Sequence, residues 1–502
     1  MTGKRLRAEL VVIGGGGAGL AAALAAAESG CKSIIVLEKT GAAAGSTAMA
    51  HDVFGAESPV QKRQGIDAPK DELFKVAMEW AHWTKINPRI VRAFIDKSGD
   101  TIGWLEKMGL SFELIQYYPN QVPLVRHSVK GHGNALMKAL RDSCEKKGVK
   151  ILTFTPGKNI LRDEKGKISG VVAESKQGEI SIAAQGVIVA TGGYGNNEEM
   201  LKKHLANYHD TMTYDGPPSN TGDGIRMAAD IGAAMAGLGT ANLHGPFIRP
   251  KSDSHAMKMD AKGLDGSLIR ITLWFLAWEP EMIWVNKHGK RFIDEGYQLA
   301  FFAFGNAVAL QPDGITYTLF DQTTLNKIER EGLIRPGAAA HANWLPVSAA
   351  TPLPGLEREV RKQADKGELK ISNSWDEIAA WMGAAPDVLN ATIDEYNAAC
   401  DDRHDGLFAK DRRYLRSLRT PPFYAVKGHL GLCDTYGGIK INEHMEALDA
   451  RDNPIPGLYA AGTTAGCWES ESYCYRLTGH LVGFALNSGR IAGENAVRYL
   501  SK

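Results

Sequence analysis

At 502 residues the chain is too long for one simple core, so two domains, or one large domain with an insertion, are expected. An apolar fraction of 44%, a charged fraction of 23% and a formal net charge of +1 describe an ordinary globular protein, and they give no reason to expect nucleic acid or an anionic membrane as partner. Six cysteines lie scattered without a CxxC pair, a CxxCH haem site or zinc spacing, so no metal site is expected and the thiols read as reduced, buried groups of a cytoplasmic protein.

The N-terminal stretch MTGKRLRAELVVIGGGGAGLAAALAAA has the basic, apolar and small residues of a secretory signal. Glu9 and four consecutive glycines would break the apolar helix a signal needs, and the same residues make sense as strand, turn and helix. No run of about 18 apolar residues indicates a membrane span. Leu10 to Ile13 read as a buried parallel strand, and Gly14, Gly16 and Gly19 supply the GxGxxG spacing. Such glycines make the tight turn, admit a pyrophosphate to the backbone and pack helix on strand. The Ala-rich helix beginning at Gly17 and Ala18 would turn its first amides to phosphate. Ser33 to Leu37 form the next strand, ending in Glu38, which is placed to accept hydrogen bonds from ribose hydroxyls. Dinucleotide binding follows from this βαβ unit.

Further along, TGAAAGSTAMA at 40–50 directly follows the Glu38 strand. Residues 157–193 alternate as hairpin strands with turns at DEKGK and SKQGE. GVIVATGGYGNN at 186–197 and PIPGLYAAGTTAG at 454–466 are two more apolar strands ending in glycines, and NTGDGIRMAADIGAAM occupies 220–235. Between them, SWDEIAAWMGAAPDVLNATIDEYNAAC reads as helical, with Ser374 as its cap.

These four segments, in this order, resemble the fumarate reductase and succinate dehydrogenase flavoprotein family, whose superfamily also holds 3-ketosteroid dehydrogenases and urocanate reductase. The resemblance covers nearly the whole chain and implies an α/β fold: a discontinuous Rossmann-type FAD-binding domain, residues 1–240 and 426–502, with an inserted α+β capping domain at 241–425. It implies FAD as cofactor, held by Gly14, Gly16, Gly17, Ala18, Gly19, Glu38, Lys39, Gly45, Ser46, Thr47, Thr191, Gly192, Gly193, Asp223, Gly462, Thr463, Leu481 and Val482. Ser46 stands where some members carry a flavin-linking histidine, so the FAD is expected to be non-covalent. Thr463 replaces a common acidic residue and would be a weaker partner for the ribityl chain.

Counting within the family's pattern also locates the substrate groups. His244 falls where its first substrate-binding histidine lies, and Arg476, fourteen residues before Arg490, where its substrate arginine lies. Arginine there would bind a carboxylate or polarise a carbonyl, unless it pairs with Glu469 or Glu471 in the same loop. Cys433 is read as standing in the place of the second histidine, where a thiol supplies no cationic hydrogen bond and serves as a small filler. The proton-donating arginine expected after Asp294-Glu295 is absent, and Phe275 and Trp278 replace its relay. Trp274, Phe275, Trp278, Tyr297, Phe301, Phe302, Trp468, Tyr473 and Tyr475 make the cap and closing loop aromatic, with Trp278, Trp468 and Tyr473 expected at the substrate. Tyr297 and Tyr436 are the candidates for proton transfer, with a phenol pKa lowered beside Arg476 or His244.

The expected enzyme is an FAD-dependent oxidoreductase that reduces or forms a C=C bond next to a carbonyl or carboxylate, by hydride exchange at flavin N5, on an apolar, cyclic or aromatic substrate. In character it stands nearer to ketosteroid dehydrogenase and to enoate or urocanate reductases than to fumarate reductase. With no haem, iron–sulfur or FMN-carrier segment in the chain, a separate electron donor or acceptor is expected. Two alternatives stay open: an amine or hydroxyl dehydrogenase or oxidase using Glu469 and Glu471 for a cationic substrate, and a flavin-binding electron-transfer subunit without turnover of its own.

Overall fold

Short runs of branched apolar residues are buried on both faces in the middle of a parallel sheet covered by helices. Leu10–Ile13, Ile34–Leu37 and Gly186–Val189 are buried along their whole length. They form the centre of a six-stranded sheet in the order Glu446–Leu448, Pro454–Ala460, Gly186–Val189, Leu10–Ile13, Ile34–Leu37, Lys150–Leu152, antiparallel only at the first pair. The structure, a computed structural model, describes residues 4–116, 124–247, 276–299, 304–334, 351–365 and 367–502.

Helix Gly17–Glu28 is buried through ten of its twelve residues, because the closing helix His480–Leu500 lies against it. A Cβ added at Gly489 would fall 2.3 Å from the carbonyl oxygen of Ala18, and one at Gly493 2.3 Å from that of Ala22. Glycine at these two turns is therefore what lets the chain's first and last helices meet backbone to backbone. A four-stranded sheet, Lys4–Arg7, Gly178–Ala183, Ile168–Ser175, Gly157–Arg162, contains the hairpins read from DEKGK and SKQGE. Among the described residues no helix is long and apolar enough to cross a membrane.

A second sheet is organised on the thirteen-residue strand Phe423–Thr435. Its first half pairs with Ile315–Asp321 and Leu369–Ser372, its second half with Thr213–Tyr214 and Ala241–Phe247. The boundary expected at 425/426 thus falls inside one strand, so the inserted segment and the flavin-binding sequence share a sheet. Helices Trp375–Met382 and Pro386–Asp401 cover it, the first capped by Ser374, whose hydroxyl accepts from the Asp376 amide at 3.2 Å. Beneath them lies a buried ionic cluster. Glu295 accepts from the Trp284 amide at 2.9 Å and meets Arg291 at 2.9 Å and Lys410 at 3.1 Å, while Arg291 also reaches Asp405 at 2.9 Å. Burial alone would raise the Glu295 carboxyl, but Lys410 and Arg291 more than offset it and hold it below the ordinary carboxylate range.

Candidate active site

The ends of the three central strands open on one cavity of about 370 Å³. One part of its wall is almost wholly backbone: Gly14, Gly16, Gly17 and Ala18 after the first strand, Gly45 to Thr47 after the second, Thr191 and Gly192 after the third, Gly462 and Thr463 after Pro454–Ala460. Gly14 has φ +109°, and a Cβ there would lie 2.2 Å from the Ala190 oxygen. A Cβ on Gly45 would come within 3.1 Å of the Gly16 Cα, so the two turns leave a slot that only glycine keeps open. Two helix N-termini face this slot. Gly17–Glu28 starts after Gly16 and His480–Leu500 after Gly479; neither has a side-chain cap or an acidic residue in its first turn, and Leu481 and Val482 line the cavity. Uncapped first-turn amides carrying partial positive charge suit an anionic group such as a pyrophosphate.

Glu38 is fixed beside this slot. Its Oε2 accepts from the Gly15 amide at 2.9 Å, and its Oε1 from the amide and hydroxyl of Thr40 at 2.7 and 2.8 Å. Lys39 reaches across to Asp223 at 2.7 Å and Thr221 at 2.8 Å, tying the second strand to helix Asp223–Asp230. These residues fit an FAD: a carboxylate for the ribose, amide-rich turns for the pyrophosphate, and small residues along the channel.

Side chains close the rest of the cavity: Met49 and His51, Asp215, Asn220, His244, Trp278, Cys433 and Asp434. Consecutive residues of a regular strand point to opposite faces, yet Cys433 and Asp434 both line the cavity. A β-bulge is the reason. Asn242 pairs with Asp434 and Leu243 with Leu432, leaving Cys433 as an extra residue on its strand. Asp434 Oδ1 accepts from the Thr435 amide at 2.9 Å, and the Thr435 hydroxyl accepts from the Tyr194 amide at 2.9 Å. A Cβ on Gly193 would come within 3.0 Å of that Asp434 oxygen. The carboxyl thus sits at the end of the Gly186–Val189 strand. Burial pushes the Asp434 carboxyl up to about 7, with only the Thr435 amide opposing. Burial also raises the Cys433 thiol, which keeps its proton, and lowers His51 to about 4, so that its imidazole is neutral at physiological pH.

The sequence expectations distribute unevenly over this geometry. Of the eighteen residues assigned to FAD, all but Gly19 and Gly193 line the cavity; those two pack behind it, Gly19 with its Cβ position 1.9 Å from the Gly14 oxygen and Gly193 with its own 2.3 Å from the Thr435 hydroxyl. His244, Trp278 and Cys433 line the cavity; Arg476, Tyr297, Tyr436, Trp468 and Tyr473 do not. Trp468 stacks on Phe484 at 4.2 Å, Tyr473 on His480 at 4.3 Å, and Tyr436 meets Trp468 edge-on at 5.3 Å, so these three rings form a layer on the closing helix. The expected lowering of the phenols is reversed: burial raises both Tyr297 and Tyr436. Tyr436 is buried and its hydroxyl has no hydrogen-bond partner among the described residues, and Tyr297 is 38% exposed. Trp274, Phe275, Phe301 and Phe302 lie outside the described residues.

Arg476 is not held by either acid of its loop. Glu469 bonds to His480 and to the Cys474 amide, and Glu471 pairs with Lys85. Among the described residues no carboxylate pairs with Arg476. Its neighbour Tyr475 donates to Asn242 Oδ1 at 2.6 Å, which docks the Arg476 turn on the strand that carries His244. Sequence reasoning missed Asp434, Asp215 and His51. Asp434 carried one signal, its place directly before the TYGGI segment, but the bulge that turns it inward is invisible in one sequence.

A glycine-walled channel under two bare helix ends, closed by a second sheet, is the construction of a flavin-dependent oxidoreductase. Residues 9–479 match the family described as "FAD binding domain", and the chain belongs to this family, within the fumarate reductase and succinate dehydrogenase flavoprotein group. It is similar to the vinyl phenol reductase of Lactiplantibacillus plantarum, 31% identical over 498 residues that cover 98% of this chain and 96% of that one. It is also similar to the urocanate reductase of Eggerthella lenta, 27% identical over 495 residues, with 97% and 74% covered. Among solved structures, the 3-ketosteroid Δ1-dehydrogenase of Sterolibacterium denitrificans shares the fold, with a TM-score of 0.79 at 19% identity over 99% of this chain and 100% of that one. The chain is an FAD-dependent oxidoreductase acting on CH–CH groups.

Proposed function

We propose that this enzyme reduces the C=C bond of a small aryl alkene, a vinyl phenol or an aryl acrylate, using electrons from a separate donor. The observation that carries this reading is the charge of the cavity wall. Among the described lining residues there is no arginine, and the one lysine, Lys39, is paired with Asp223, while Asp215 and Asp434 face inward beside Trp278. A dicarboxylate would find no unpaired cation among those residues, whereas a flat neutral ring meets indole, thiol and imidazole. The names of the vinyl phenol and urocanate reductases, both enzymes with unsaturated substrates, support the same direction.

When bound, FAD supplies the two-electron equivalent, delivered as hydride to one alkene carbon. Gly14 to Ala18, Gly45 to Thr47, Gly192, Gly462 and Thr463 hold it, and Glu38 takes its ribose. Ser46 offers no histidyl link, so the cofactor is held non-covalently, and acid precipitation should leave all the flavin in the supernatant. Trp278 lies against the ring of the substrate. His244, which lines the cavity, hydrogen-bonds the oxygen that activates the alkene: the carboxylate of an acrylate, or the phenol oxygen, which is conjugated to a para vinyl group as a carbonyl would be. Arg476 does not line the cavity; its turn is docked on the strand of His244 through the Tyr475–Asn242 hydrogen bond. The amine-oxidase alternative loses its acidic pair, since Glu469 and Glu471 are bound to His480 and Lys85.

The test is anaerobic reoxidation of the reduced enzyme by 4-vinylphenol, an aryl acrylate and fumarate. Aryl alkenes should react about 100-fold faster than fumarate or better, given the cost of burying two carboxylates with no unpaired cation among the described lining residues. Equal or faster reaction with fumarate would overturn the reading.

A further inference from the structure

Reduction of an alkene needs a proton as well as a hydride, and the phenols expected to give it are withdrawn from the cavity. We propose that Asp434 is the proton donor, its carboxyl turned into the cavity by the bulge at Cys433. This rests on the aryl-alkene reading and deepens it. The geometry is specific to this carboxyl. It lines the same cavity as Trp278 and His244, and it sits against Gly193 at the end of a strand whose next residues, Thr191 and Gly192, line the FAD channel. Its only hydrogen bond among the described residues is the one from the Thr435 amide to Oδ1, and no cation pairs with it. A carboxyl that gives a proton at neutral pH must first hold one, and burial without a cationic partner meets that condition.

The step balances simply. The π bond of the alkene breaks. One carbon takes the hydride equivalent from reduced FAD, the other forms a C–H bond with the Asp434 proton, and the Asp434 carboxylate regains a proton from solvent. For an acrylate the protonated carbon is α to the carboxylate. For a para vinyl phenol it is the terminal carbon, with the phenol proton passing to the group that holds the oxygen and returning at the end. The groups facing Asp434 set its behaviour. Cys433 lies on its own strand and Tyr436 just past its end, Tyr214 on the neighbouring strand and Asp215 just past that one, with Asn242 opposite in the pairing and His244 two residues further on. Tyr214, Cys433 and Tyr436 are all held in their neutral forms by burial, so none of the three places a charge beside Asp434.

The experiment compares Asp434→Asn and Asp434→Glu with the wild-type holoenzyme. Asparagine keeps the size and the Thr435 hydrogen bond. The expected result is unchanged flavin content and unchanged reoxidation by O₂, with reoxidation by 4-vinylphenol slowed about 100-fold or more and partly restored in Asp434→Glu. The wild-type rate should fall above pH 7, and that limb should vanish in Asp434→Asn. Infrared difference spectra between pH 6 and pH 9 should show a protonated carboxyl band in the wild type that the Asn variant lacks. If Asp434→Asn reduces the alkene at the wild-type rate with the same pH limb, or the band is unchanged in it, the proposal is overturned and the substrate reading stands. If the wild type reduces no aryl alkene while its flavin remains competent with O₂, the substrate reading falls and takes the proposal with it.

Discussion

The cavity has two kinds of wall. On the parallel-sheet side the binding groups are amides of glycine-rich turns and the bare ends of two long helices, held by strands buried on both faces. On the side of the second sheet the groups are side chains, aimed by a bulge and by turns docked on a single long strand. Backbone walls depend on the absence of side chains, so they break when one is added. Side-chain walls depend on burial and charge, so they break when a partner is removed or a proton is gained.

The largest effect should follow from adding one carbon to the first wall. Gly14→Ala combines a positive φ with a Cβ 2.2 Å from the Ala190 oxygen, and the turn must move out of the pyrophosphate position. The purified variant should carry no flavin, measured as absorbance per chain. Gly30→Ala, with φ +101° but open space around the new Cβ, should cost only about 1–2 kcal/mol of stability and keep its FAD.

In the second sheet the corresponding break is the removal of a charge. Arg291→Met leaves Glu295 and Asp405 buried with one cation fewer, and destabilisation of about 3–5 kcal/mol is expected in urea unfolding. Flavin content per folded molecule should be unchanged, because the cluster lies away from the cavity. Loss of flavin in step with loss of stability would show that the two walls fold as one unit.

Acid should act through buried imidazoles. His127 lies with Nδ1 on the Val125 oxygen at 3.0 Å and Nε2 on the Ser58 hydroxyl at 2.6 Å, and burial lowers it, like His51, to about 4. An unfolded chain takes up these protons below its ordinary 6.5, while the folded one resists until about 4. The stability they contribute is therefore complete above pH 6.5 and is lost as pH falls from 6.5 to 4, by up to about 3 kcal/mol for each group. Melting temperatures at pH 7.5 and pH 5 should fall in that sense, and by less in His127→Gln.

The same contrast explains what could be read in advance. The GxGxxG turn, the Glu38 strand and the three glycine-ended strands are local patterns, each tied to a backbone conformation that few residues allow, and they led directly to the FAD channel. The substrate side is made by non-local events. Whether Cys433 or Asp434 faces inward depends on a register shift against residues nearly two hundred positions away. Whether Arg476 is paired depends on where His480 and Lys85 bring Glu469 and Glu471. Counting along the chain therefore reached Cys433 and stopped one residue short, and it assigned Trp468 and Tyr473 to the substrate and Tyr436 to proton transfer, where the fold packs their rings in a layer on the closing helix.

Thr463 sets the lower limit of the comparison. It lines the backbone wall in the turn Gly462–Thr464 and carries a hydroxyl there. Its amide and its hydroxyl are thus two different contributions to the same channel. Thr463→Ala keeps the amide and removes the hydroxyl, so it tests whether that wall binds FAD by anything beyond its backbone. One neutral hydrogen bond in a partly open site is worth about 1 kcal/mol, and the dissociation constant of FAD, measured by titrating flavin back into the apoprotein, should rise about fivefold. A rise of a hundredfold would make the hydroxyl a principal anchor and give the sheet-side wall a side-chain component of the kind that the second sheet supplies. No change at all would leave the ribityl chain to the amides and to the N-terminus of the closing helix.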